Sequence, residues 1–154
     1  MQKAVRNLGI VVIALAVVAF IVGGAFVYLG FAKQNVIVSA MKAENIGMGA
    51  FGGDAKNTID TLEEAQAAAD TVREHRHSIA PTYGDLLGGK KYDPANPVQL
   101  TYAQAMNLEN YLYLGVASLG LVQVVMGTGA FMILTAVTFG AVGAALIYIS
   151  WKIQ

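Results

Sequence analysis

The side chains in this sequence best suited to chemistry are His75 and His77, which flank Arg76. Paired imidazoles hold a metal when they share a face, and on a helix that requires i, i+4 spacing. Two residues apart on a helix they point in nearly opposite directions, and only an extended segment aligns them. Asp70 or Glu74 stands near enough in sequence to add a third ligand, but nothing in the pattern demands one. His75 and His77 are thus weak metal candidates, and the expected reading is polar residues at a helix end with no metal bound. The stretch Gly47 to Gly53, GMGAFGG, carries four glycines in seven residues. It lacks the Gly-Lys-Ser/Thr ending of a phosphate loop and reads as a flexible connection. Cysteine is absent, which removes thiolate nucleophiles, disulfides and cysteine metal sites. No catalytic group, no cofactor and no enzyme activity are expected.

The elements that carry these residues have the composition of a membrane protein. Apolar residues make up 56% of the chain and charged residues 13%, about half the usual charged share of soluble proteins. The charges are also segregated. Lys3 and Arg6 precede the first apolar block, Lys152 follows the last, and every other charge lies between Lys33 and Glu109. The near-neutral balance argues against nucleic acid, which needs a basic footprint. From Leu8 to Phe31 there is no charge in 24 positions. As a helix this run is roughly 36 Å long, enough for a hydrocarbon core of about 30 Å. A cleavable signal has an apolar core of only about 7–15 residues, so an uncleaved anchor is expected. The positive-inside rule then places residues 1–7 in the cytoplasm and residues 32–108 outside it. Gly9, Ala16, Gly23 and Gly30 recur every seven residues. Such small-residue stripes let helices approach closely in lipid.

The second apolar block is too long for one span. Between Glu109 and Lys152 lie 42 residues without a formal charge, roughly 60 Å as one helix. Two readings follow. In a three-span version, Thr101 to Met126 crosses, Gly127-Thr128-Gly129 turns, and Ala130 to Ser150 crosses back. In the favoured two-span version, residues 109–151 form one unusually long helix whose C-terminal half spans, leaving residues 152–154 in the cytoplasm. The hairpin has no Lys or Arg at its turn, buries Gln123 in lipid and puts Lys152 outside, against the charge rule. The long helix instead keeps Lys152 inside with Tyr148 and Trp151 as interfacial anchors, but requires protein to cover Tyr111 to Val125. Ala136, Gly140 and Ala144 stand four apart as a second packing face, and Gly127 and Gly129 extend it upstream. Neither block contains Asp, Glu, Lys, Arg or His, which weighs against a proton relay, a pump or a histidine-ligated haem in the membrane.

The segment between the blocks reads as a small, mostly helical domain, making the whole an all-α membrane protein. Thr58 to Ser78 is its clearest helix, with a capping box at Thr61 and Glu64. Leu62, Ala65, Ala69, Val72 and Ile79 follow helical spacing, and Pro81 stops it. Arg73, His75, Arg76 and His77 suit the C-terminal end of the dipole. A loop follows, with one helical turn at Tyr83 to Leu87 and a solvated turn at Lys90-Lys91. Thr101 with Gln104 forms a second capping box that opens the long helix. Asn35 to Met41 reads either as a short strand or as a continuation of the first helix.

This layout resembles a group of small, mostly actinobacterial membrane proteins that go under the name of ring-opening dioxygenases. The likeness rests on Val36 to Ser39 after the anchor, on Thr82-Tyr83-Gly84-Asp85-Leu86 after a helix ending near His77, and on Gly127-Thr128-Gly129 in the last apolar helix. It implies two spans with the Gly-x-Gly inside one of them, and a bacterial cell membrane. It implies no activity, because ring opening needs iron ligands and His75 and His77 are poorly spaced for a facial triad. The expected function is a structural or accessory membrane subunit that assembles through Gly/Ala faces, as a homo-oligomer or within a larger complex. Its partners are membrane lipid and other membrane-protein subunits. A membrane-anchored ligand-binding or sensing module and a small oligomeric channel are the alternatives.

Overall fold

The computed structural model describes residues 2–54 and 56–152. Among them every regular element is helical: α1 (Gln2–Ala43), a 3₁₀ turn (Met48–Phe51), α2 (Leu62–Ile79), α3 (Tyr83–Leu87) and α4 (Pro97–Lys152). α1 and α4 are both long and apolar enough to cross a membrane, and only 11% of the most apolar window of each is buried. A core helix of a soluble protein would be mostly buried. These helices instead present Leu15, Ile21, Phe131 and Leu134 outward, each more than half exposed.

The three-span alternative is overturned, because α4 passes through Gly127-Thr128-Gly129 without a break. The glycines in the left-handed region are Gly52, Gly88 and Gly89, all outside α4. The energetics favour continuity. A helical glycine costs about 1 kcal/mol relative to Ala, whereas each unpaired backbone group in an apolar medium costs several. Thr128, Thr135 and Thr138 likewise donate their hydroxyls to carbonyls four residues back, at 2.9, 2.8 and 3.0 Å.

The helix ends follow local chemistry. α1 continues through Asn35 to Met41, so that segment is helix and not strand. It stops where Asn45 adopts a φ of 49°, a conformation Asn tolerates better than most residues. The Glu44 and Asn45 amides close the end on the Met41 and Lys42 carbonyls at 3.3 and 3.0 Å. α2 has the expected capping box: the Glu64 amide donates to Thr61 Oγ1 and the Thr61 amide to Glu64 Oε2, both at 3.2 Å. It starts at Leu62 and not at Thr58, because Thr58 bridges to Gly47. The Ile59 amide likewise donates to the Ile46 carbonyl at 3.0 Å.

α4 opens four residues before the expected box at Thr101 and Gln104. Asn96 Oδ1 accepts from the Val98 and Gln99 amides at 3.0 and 3.3 Å, and Pro97 takes the first helical position, where its missing N–H costs nothing. Thr101 is interior and donates to the Pro97 carbonyl at 2.9 Å.

The chain divides into two compact units, Met1–Lys33 with Val122–Gln154, and Gln34–Leu121. In the first, α1 and α4 pack side by side. In the second, the core is Ile59, Ala65, Ala68, Ala69, Val72 and Leu112, with Met48, Phe51, Leu108 and Val116 packed against it. Ala65, Ala68 and Ala69 are fully buried. The alanine face of α2 therefore supplies close approach, and larger side chains from the opposing segments fill the space.

Candidate functional site

In the α1–α4 unit the small residues set the register. Gly9, Ala16, Gly23 and Gly30 are the buried residues of α1, and Gly129, Ala136 and Gly143 are buried on α4. A methyl group placed on Gly23 falls 2.7 Å from the Gly129 carbonyl oxygen, and one on Gly129 falls equally close to that of Gly23. Gly9 and Gly143 stand in the same relation at 2.9 Å. The helices are thus antiparallel, in backbone contact, with a seven-residue repeat on each. A seven-residue repeat keeps one face in contact when helices wind left-handed about each other.

Only part of the expected face on α4 lies in this contact. Of the residues proposed there, Gly129 and Ala136 are in the contact. Gly127 and Ala144 are exposed, and Gly140 is partly exposed. Apart from the adjoining residues and the backbone of its own helix turns, no atom lies within 4 Å of a methyl placed on Gly127 or Gly140. The four-residue spacing Ala136, Gly140, Ala144 turns away from α1 after its first member, while Gly129, Ala136 and Gly143 stay on it. Gly140 instead lines a shallow open groove of about 180 Å³ with Val17, Phe20 and Val137.

In the Gln34–Leu121 unit the polar chemistry gathers where α2 faces α4. Arg76 Nε donates to Glu109 Oε2 at 2.6 Å and Arg76 Nη2 to Oε1 at 3.3 Å. Arg76 Nη1 donates to the Tyr102 hydroxyl, and its guanidinium lies 5.0 Å from that ring's centre. The two charged side chains are only 12% and 9% exposed. The Glu109 hydrogen bond holds the Arg76 guanidinium above its ordinary value, against the opposing effect of burial. Six residues earlier on α2, Asp70 accepts from Gln66 at 2.9 Å and from the Tyr113 hydroxyl at 2.7 Å, and pairs with Arg73 at 2.9 Å. Hydrogen bonds from Gln66 and then Tyr113 hold its carboxyl below the usual range. Among the described residues no buried side-chain nitrogen or oxygen lacks a hydrogen-bond partner, and these two networks fasten α2 to α4.

The same unit contains an apolar cavity of about 240 Å³, lined by Met41, Ile46, Ile59, Leu108, Tyr111 and Leu112 together with Ala40, Glu44 and Gly115. The sequence-predicted candidates do not meet there. His75 and His77 are exposed on α2, and His77 Nε2 lies 3.1 Å from Arg76 Nη2. Among the described residues no three His, Asp or Glu side chains are placed to hold a metal. The GMGAFGG segment is no open loop: Met48 and Phe51 turn onto the core, and Gly52, at a φ of 83°, ends the turn. Sequence reasoning missed the Arg76–Glu109–Tyr102 cluster. One signal was available, since Glu109 is the last acid before the long apolar run and stands one heptad after Tyr102. Comparison with known proteins returns no matching family model, no matching curated protein and no matching solved structure.

Proposed function

We propose that this chain is a non-catalytic structural or accessory subunit of a bacterial cell membrane, held in a homo-oligomer or a larger membrane complex by its helix faces. The observation that carries this reading is the open groove at Gly140. The first small-residue stripe is consumed inside the chain. A second glycine nevertheless sits in an outward groove, walled by Val17, Phe20 and Val137, with nothing within 4 Å of a methyl placed on it. In lipid there is no hydrophobic drive between helices, and association relies on close packing at small residues. A partner helix seated over Gly140 gains that packing and accounts for a glycine that otherwise only weakens α4.

Two further features support the reading. Lys3, Arg6 and Lys152 fall at the same end of the antiparallel pair, so the positive-inside rule puts both chain ends in the cytoplasm. Residues 34–121, which hold all ten acidic residues, then lie outside. Within them Tyr111, Leu114 and Leu121 are 76%, 61% and 66% exposed along α4, an apolar stripe that a partner subunit covers.

Gly140→Leu tests the reading, because the added side chain meets open space within the chain. The expected result is unchanged helicity and melting temperature with a smaller assembly in native gels. A variant that retains the wild-type assembly would show that the groove is not an interface.

A further inference from the structure

The cavity of the Gln34–Leu121 unit borders the exposed stripe and shares Tyr111 with it, and from its chemistry we infer that it binds a small amphiphile with a cationic head, an alkylammonium or arylalkylammonium. Its wall is built from Met41, Ile46, Ile59, Leu108 and Leu112, and its only oxygen-bearing lining side chains are Glu44 and Tyr111. Apolar pockets with one or two placed polar groups are the usual form of a small-molecule site. At about 240 Å³ it exceeds the roughly 150 Å³ that admits benzene and falls below the roughly 300 Å³ at which drug-sized pockets begin. A short chain or a single ring fills it.

The sign of the head follows from charge. Glu44 is a carboxylate, and Tyr111 presents an aromatic ring of the kind that attracts ammonium groups. Lys42, two residues from Glu44, is engaged with Asp60 at 2.8 Å and does not neutralise it. Residues 34–121 contain six basic against ten acidic residues, so the surrounding field also favours a cation. An anionic amphiphile would place its head against Glu44 and be rejected.

The test uses the full chain in phosphatidylcholine nanodiscs, with isoleucine methyl resonances followed during titration with octylammonium, octanol and octanoate, and empty nanodiscs as the partition blank. Saturable shifts confined to Ile46 and Ile59 are expected with octylammonium, binding about threefold to fivefold more tightly than octanol, the upper part of the range of an exposed charge contact. Glu44→Gln should bring the two ligands to equal affinity. Gly115→Leu should abolish both, since a methyl at Gly115 makes only an ordinary 3.6 Å contact with Met41 and the longer side chain enters the cavity. Discs doped with a single-chain cationic lipid show whether the membrane supplies the ligand: Ile46 and Ile59 then shift before any soluble amine is added. Absence of saturable shifts at Ile46 and Ile59 would overturn the proposal, as would octanoate binding as tightly as octylammonium.

Discussion

At the scale of single residues, Arg76 and Glu109 are the most committed side chains in the molecule. Removing one partner of a buried pair strands the other charge and costs about 3–5 kcal/mol, whereas replacing both with apolar residues of similar volume is often neutral. Glu109→Ala should therefore lower the melting temperature sharply, and Arg76→Met with Glu109→Leu should recover most of it. Equal loss in both variants would mean that Tyr102 and His77 depend on the guanidinium more than the pair does on itself. Asp70 gives a pH dependence. Its folded carboxyl is held low by Gln66 and Tyr113, so the folded state binds its proton more weakly than the unfolded chain. The stability it contributes is complete above the unfolded value of about 4 and is lost as pH falls through the folded value. Tyr113→Phe should be less stable than the parent at pH 7, with the gap closing in acid melting curves. Gln66–Asp70 is a local i, i+4 contact, but Arg76 and Glu109 lie 33 residues apart and Asp70 and Tyr113 lie 43 apart, and only the docking of α2 on α4 brings them together.

At the scale of elements, the legible features are those with a local cause. The Thr61–Glu64 capping box, the stop before Pro81 and the turn at Tyr83–Leu87 need only neighbouring residues. The seven-residue stripe of α1 is also legible, because Gly9, Ala16, Gly23 and Gly30 keep one spacing along the whole apolar run. On α4 two spacings compete, and only the register against α1 selects Gly129, Ala136 and Gly143 over Ala136, Gly140 and Ala144. The opening of α4 was obscured for a related reason: Thr101 and Gln104 match a cap pattern, but Asn96 followed by Pro97 comes first and captures the free amides. Two substitutions separate the faces. Gly23→Leu drives a side chain into the Gly129 backbone and should lower the melting temperature by an amount typical of overpacking, about 1–3 kcal/mol or more. Gly140→Leu should leave it unchanged. A comparable loss in both variants, read by thermal circular dichroism, would mean that Gly140 also packs within the chain.

At the scale of the whole molecule, the length mismatch between the apolar runs is the feature that asks for a partner. α1 has 26 uncharged residues between Arg6 and Lys33, and α4 has 42 between Glu109 and Lys152. Both can span, but α4 carries its apolar run about 16 residues further. There it meets α2 on one side and leaves Tyr111 and Leu114 exposed on another. Composition and charge segregation made the two helices long and apolar enough to cross a membrane readable from the sequence. The division of small residues between an internal seam and an outer groove was not, because periodicity identifies a face without saying what covers it. The most direct test is gentle detergent extraction from native membranes followed by native mass spectrometry of every species carrying this chain. Assembly predicts a defined mass above the monomer, either a closed set of identical copies or a fixed stoichiometry with larger subunits. A folded monomer as the sole species across mild detergents would contradict it.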